Sequence, residues 1–442
     1  MNKTGKKYGL VTAISMVVGS VIGSGIFFKA ESISRITGGN ALAGICGWVI
    51  GGIIMLCCLL MFARLSSKYN SLGIVDCAEK ITGKSYAYYI GWFMATIYYP
   101  SMVSVLSYLT ARYTLMTIGC REYDGGLCML LSCVYLTVSF LINALLPFLS
   151  AKIQIVSTVI KLIPLILMAV LGSIEGVKSG ILNENLKMGP MTLPSVFCAV
   201  TASAFAYEGW IAAMSIAGEL KDGKKNLSRA LVIGGITVTT VYVLYYIGIS
   251  GAIDSMLLLN HRAEGIRMAY NNVMGENMGA LLTLFVAVSC FGALNGLMLG
   301  LGRAMYEVSV RENGPMPRLF SRIDPVSSTP LASCVVGFFF AMIWLFFYFG
   351  VIISPQPLFI NFAFDSSEIP IITMYAMYIP LFFLSVREKN GKPGIKDCVL
   401  AFFAIYSCLF MIFSAVYSHG KDVIDYLFAF AVIMLIGAFF KK

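Results

Sequence analysis

The sequence predicts an all-α membrane protein of twelve transmembrane helices, ten of them in two inverted repeats of five whose first members are each broken inside the bilayer. Three observations lead there. The 442 residues are 58% hydrophobic and only 12% charged, with a mean hydropathy of +0.83, which excludes a soluble globular protein. Windows of about twenty apolar residues recur along the whole chain. Two of these windows, VVGSVIGSGIFF from Val17 to Phe28 and AFAYEGW from Ala204 to Trp210, carry residues that interrupt a helix at a depth where lipid cannot satisfy free backbone groups.

Taken in order, the windows place spans at 9–35 (broken), 41–63, 87–116, 127–147, 153–173, 194–218 (also broken), 231–252, 279–302, 331–350, 368–386, 397–417 and 423–440. No small-residue cleavage site follows the first of them and further spans come after it, so it reads as a retained span and not a signal peptide. The positive-inside rule then orients the chain. With both termini in the cytoplasm, 22 of the 32 lysines and arginines fall on the inner side and 9 on the outer, Lys161 being the one left within the membrane. The net charge of +10 is thereby explained by topology and contact with membrane lipid, and gives no reason to invoke nucleic acid. The loops at 64–85 and at 219–229 (ELKDGKKNLSR) read as solvated connectors, and 303–330 as a structured cytoplasmic link.

In the first span, Gly19, Gly23 and Gly25 alternate with Ser20 and Ser24. One use of Gly19 and Gly23 is a GxxxG packing face on an intact helix. The other is a break, and a break has chemical consequences. The first half-helix would end in carbonyls carrying about −0.5 charge and the second begin with amides carrying about +0.5. Such a pair of ends suits a zwitterion, and an α-amino acid is the obvious small molecule of that shape. The second break, at 206–209, lies about 185 residues and five spans further on, an odd offset. The second half therefore enters the membrane upside down relative to the first. This divides the chain into a core over 1–390, with repeats at about 8–175 and 190–388, and an appendage over 391–442 holding spans 11 and 12.

Few residues within the membrane can carry chemistry. Lys161, in TVIKLIPLILMAVLG, sits where a charge costs roughly 2.5–3.5 kcal/mol, so it either snorkels to the nearby cytoplasmic face or donates to carbonyls freed by the break in span 1. Glu208 in the second break could take up a proton, attract a cationic group, or cap the amides of the broken helix. Phe205 is a candidate for the pocket wall, while Trp210, Tyr98 and Pro100 read as packing. Asn295, in FGALNG of span 8, needs a polar partner, either a neighbouring helix or a substrate. The twelve cysteines follow no CxxC or Cys/His spacing, and only Cys120 and Cys128, flanking one short loop, are placed to pair. His261 and His419 fall in predicted loops, so no histidine-based metal or catalytic site is expected within the membrane, and no cofactor is implied.

Five stretches together resemble the amino acid, polyamine and organocation superfamily, most closely its L-type amino acid transporters and their bacterial serine/threonine exchanger relatives. They are GSVIGSGIFF (Gly19 to Phe28), STVIKLIP (Ser157 to Pro164), FAYEGW (Phe205 to Trp210), CFGALNG (Cys290 to Gly296) and RENGPMP (Arg311 to Pro317). The resemblance runs through about the first 330 residues. It implies a LeuT-type fold and alternating access, with the substrate carboxylate held by amides near Ser24 and Gly25. By the same resemblance the ammonium would meet carbonyls near Ile22 and at Phe205 and Ala206, Asn295 would face the substrate, and Lys161 would stand where many sodium-independent members place a lysine. The expected activity is sodium-independent exchange of small or medium neutral L-amino acids across the cell membrane.

Departures from the family pattern qualify that expectation. Glu208 stands where relatives often have Asp or Gly, which leaves proton-coupled uptake and cationic amino acid or polyamine transport as alternatives. The stretch after span 6 is altered to ELKDGKKNLSR, and the proline- and tyrosine-rich lead into span 11 is missing. Asp365 and Glu368 have no counterpart role. Animal relatives bind a single-span partner through a cysteine in the loop holding Cys120, and here no ancillary subunit is expected. A polytopic enzyme is disfavoured because the buried ionisable residues Lys161 and Glu208 lie in separate spans, and a channel because no span has a continuous polar lining.

Overall fold

The computed structural model describes residues 9–23, 25–69, 71, 73–120, 123–211, 223–261, 263–353, 362–387 and 394–442, and every regular element among them is helical. In chain order the helices are α1 (Leu10–Val21), α2 (Gly25–Ile36), α3 (Ala41–Tyr69), α4 (Ile74–Thr82), α5 (Lys84–Phe93), α6 (Tyr99–Thr117), α7 (Gly126–Leu145), α8 (Pro147–Leu167), α9 (Ser173–Ser179) and α10 (Ile181–Lys187). There follow α11 (Leu193–Ala206), α12 (Gly223–Ala252), α13 (Ser255–His261), α14 (Ala263–Met274), α15 (Met278–Ser309), α16 (Pro317–Phe320), α17 (Leu331–Tyr348), α18 (Ile369–Val386), α19 (Ile395–His419) and α20 (Asp422–Phe439).

Among the described residues, nine helical stretches are long and apolar enough to cross a bilayer, and α1 with α2 makes a tenth span bent by 42° at its break. The residues expected as a span at 87–116 are not among those ten, but they form one helical run through α5 and α6, joined by a π segment at Met94–Tyr98. Pro100 accounts for that segment: it has no N–H to donate to the Thr96 carbonyl four residues back. Trp344 of α17 fills the gap, its indole N–H donating to that carbonyl at 2.9 Å. Span 5 is longer than its hydropathy window, because a second π segment at Met168–Gly172 carries α8 into α9. Of the sixth span only α11 and the turn after it are described; residues 212–218, like Ser24, lie outside the described residues.

α15 packs along α6, α8 and α17, while α12 packs along α1 and α3. Spans 5 and 7 cross at glycines: a Cβ on Gly251 would stand 2.6 Å from the Gly172 carbonyl oxygen and 3.0 Å from the Gly176 Cα. With no side chain there, the two backbones touch, which supports helix association where lipid supplies no hydrophobic drive.

Two expectations about charged residues change. Lys29, counted among outer-side charges, is buried within α2. His261 closes α13 and His419 closes α19, so neither lies in a loop, and the His419 ring lies against Glu368. Cys120 and Cys128 are free thiols.

Candidate functional site

The two breaks meet. α1 ends at Val21, and its capping residue Ile22 turns to an extended conformation (φ −68°, ψ 98°) while its N–H still bonds the Val18 carbonyl at 2.8 Å. Gly25 starts α2 pressed against α11, where an added Cβ would lie 2.5 Å from the Ala206 Cα. Gly209, at φ +103°, turns the second break with its Cα face against the Ser20 carbonyl. A side chain there would be both strained and in collision, so glycine is required. Gly19 and Gly23 both make close contacts, against Thr158 and Ala293, but α1 stops at Val21, so Gly23 lies beyond it and the two do not share an intact helix face.

A helix end inside a membrane leaves carbonyls without partners. Two of the four at the end of α1 accept hydrogen bonds from other helices, and a third is packed against the second break. Gly19 accepts from the Lys161 ammonium at 2.5 Å and from the Gln154 amide at 3.2 Å. Ser20 has the Gly209 backbone against it. Val21 accepts at 3.1 Å from the Tyr242 hydroxyl, which also lies 3.0 Å from the Ala206 carbonyl and so bridges the two breaks. Lys161 is fully buried, which excludes snorkelling in this conformation.

Between the breaks lies a narrow gap with room for little more than a water molecule, walled by Ser20, Val21, Gly23 and Gly25 of span 1, Met102 and Leu106 of α6, Phe205, Glu208 and Gly209 of span 6, and Ala293 and Leu297 of α15. Of the residues expected at the site, Gly25, Phe205 and Glu208 line it. Ile22 and Ala206 sit buried in the breaks beside it, and Ser24 lies outside the described residues. Asn295 is not brought to the cavity: its Oδ1 accepts from Asn143 at 2.8 Å and its amide donates to the Ser150 hydroxyl at 2.9 Å, so its polar atoms are used between helices. Met102 with Leu106, and Ala293 with Leu297, were missed. Each pair stands four residues apart on one helix face, a spacing too common in apolar helices to single them out.

Glu208 is 4% exposed. One carboxylate oxygen accepts from the Tyr98 hydroxyl of span 3. The other, Oε2, has no hydrogen-bond partner among the described residues.

A second charged group was also missed. The Lys29 ammonium lies 2.5 Å from Oε1 of Glu368, at side-chain exposures of 3% and 8%, and Oε2 of the same carboxylate lies 3.0 Å from Nε2 of His419. The same ammonium sits 5.4 Å from the ring centre of Phe205, on the cavity wall. Asp365 has a local role, accepting the Ser367 N–H at 2.6 Å. No cluster of three or more histidine, cysteine, aspartate or glutamate residues is arranged to hold a metal among the described residues.

Comparison with known proteins agrees with this architecture. A family model described as amino acid permease matches residues 8–439. The serine/threonine exchanger SteT of Bacillus subtilis is 25% identical over 392 residues, covering 88% of this chain and 85% of the relative. The human cystine/glutamate transporter is 27% identical over 346 residues, 77% of this chain and 68% of the relative. The mouse large neutral amino acids transporter small subunit 2 is 28% identical over 336 residues, 74% of this chain and 62% of the relative. The last is named as a small subunit, so the expectation that this chain has no ancillary subunit gains no support.

Proposed function

The chain belongs to the amino acid permease family, and from that premise we propose that it exchanges small or medium neutral L-amino acids across the cell membrane, independently of sodium, by alternating access. It is a multi-pass integral membrane transporter of amino acids and not an enzyme. The observation that carries the finer reading is the cavity between the two breaks, with a helix C-terminus on one side and a helix N-terminus on the other. The amides that open α2 at Gly25 take the substrate carboxylate, and the backbone carbonyls of Ile22 and Phe205 take its ammonium. Met102, Leu106, Ala293 and Leu297 make the rest of the wall apolar, which suits a neutral side chain once the site opens.

Lys161 supports sodium independence. Its ammonium holds the Gly19 carbonyl, a cation that is covalently part of the protein and needs no gradient to occupy its place. The Lys29–Glu368–His419 group joins span 1 to spans 10 and 11 beside the Phe205 wall of the cavity. In the proposed cycle that contact closes one entrance and parts when the repeats rock. Lysine and arginine placement supports cytoplasmic termini, and the spacing of the breaks supports the division into a core over 1–390 and an appendage over 391–442.

A second reading, proton-coupled or cationic amino acid transport, is favoured by one feature: the unpartnered Oε2 of Glu208 on the cavity wall. Uptake of labelled amino acids into proteoliposomes separates these readings. Exchange predicts acceleration by unlabelled amino acid inside the vesicle and no response to sodium. Acceleration by an inward proton gradient without internal substrate would favour Glu208 coupling, and sodium-driven uptake would refute the role given to Lys161.

A further inference from the structure

Away from the cavity, a groove of about 480 Å³ opens between α5, α18, α19 and α20. Its floor is formed by Ile369, Ala415 and Tyr426, each no more than 3% exposed, and its rim by Val416 and Leu427, each more than half exposed. Two of its hydroxyl groups are already used: Tyr86 donates to the Met377 carbonyl at 2.9 Å, and Thr373 donates to Tyr426 at 2.7 Å. The wall therefore selects hydrocarbon over a polar solute.

The groove has polarity along its length. On α20 its wall runs from Val423 to Met434, about 17 Å at 1.5 Å per residue, close to one leaflet of a hydrocarbon core about 30 Å thick. At the Tyr89 end a cation waits: the Lys441 ammonium lies 5.2 Å from the Tyr89 ring centre, with one of its three donors on the Ser85 hydroxyl at 2.5 Å. Hydrocarbon along one leaflet with a positive charge at the membrane-surface end is the complement of an anionic amphiphile. A second copy of the chain would have no need of a cation at one end only.

We propose that this groove binds an acyl chain of an anionic phospholipid whose phosphate rests on Lys441. The full chain, reconstituted in nanodiscs of phosphatidylcholine doped with phosphatidylglycerol and released for native mass spectrometry, is expected to retain a phosphatidylglycerol molecule. Ala376→Trp, which fills the groove, removes the retained lipid. Lys441→Gln, beyond the end of α20, lowers the preference for phosphatidylglycerol over phosphatidylcholine about fivefold while leaving the chain folded. Absence of retained lipid, equal retention of the two lipids by the unaltered chain, a dimer in place of a lipid adduct, or an unchanged preference in Lys441→Gln would each overturn the proposal. The last of these decides the matter even if Ala376→Trp fails to fold.

Discussion

Two lysines are buried at the first broken span, and their ammonium groups are satisfied in opposite ways. Lys161 of α8 donates to a backbone carbonyl of α1, whereas Lys29 of α2 meets the carboxylate of Glu368 on α18 and, through it, His419 of α19. A carbonyl at a helix end offers only partial charge, so Lys161 keeps a net positive charge in the protein and adds a fixed cap to α1. A carboxylate offers a full charge, so the Lys29 group is close to neutral while closed and would expose two ions when opened. The first arrangement suits a support and the second a contact that can part, since water can receive separated ions but a freed carbonyl within the helix packing has no such partner.

The largest expected effect tests the contact that parts. Glu368→Ala leaves the Lys29 ammonium buried without a counter-charge and is expected to cost about 3–5 kcal/mol of stability. The double variant Lys29→Met, Glu368→Met removes both ions and should recover most of that loss. Unfolding in bicelles by titrated denaturing detergent, run as a double-mutant cycle with the single variants Lys29→Met and Glu368→Met, measures the coupling. Additive losses would mean that the pair is not a unit.

Lys161→Met comes next and should separate the two roles. Removing the ammonium deprives the Gly19 carbonyl of its principal donor, worth about 1–3 kcal/mol, or roughly fivefold to 150-fold in exchange rate, with the chain still inserted. A smaller step in the same direction is Tyr242→Phe, which removes the hydroxyl bridging the Val21 and Ala206 carbonyls. It should slow exchange by about tenfold or less. Both are read as amino acid exchange in proteoliposomes, normalised to reconstituted protein. If Lys161→Met destabilised the chain more than Glu368→Ala while leaving exchange intact, the roles assigned to the two lysines would be reversed.

The same contrast explains what could be read in advance. The break at Val21–Gly25 was legible because glycines and serines inside an apolar run contradict a continuous helix, and Lys161 because a charge in such a run demands a partner. Both signals are local. Lys29 and Glu368 are 339 residues apart in sequence and each lies near the end of its window, where a charge looks like an anchor at the surface; only packing joins them. Asn295 was legible as an amide in need of a partner, but the choice between Asn143 with Ser150 and a substrate depends on which way the helix faces. The π segment before Pro100 likewise depends on Trp344, 248 residues away, to receive the freed carbonyl.

The smallest expected effect sharpens the comparison by asking whether α19 belongs to the contact or merely lies beside it. His419 adds a hydrogen bond to Glu368 from a helix outside the proposed repeats. His419→Gln keeps an amide N–H within reach of Oε2, so stability should change by less than about 1 kcal/mol, whereas His419→Phe removes the donor and should cost about 0.5–1.5 kcal/mol more than the Gln variant. In the Lys29→Met, Glu368→Met background that difference should vanish, because no carboxylate remains to accept. A penalty for His419→Phe that persists there would mean that the ring serves packing alone, and the ionic contact would then consist of Lys29 and Glu368 without help from the eleventh span.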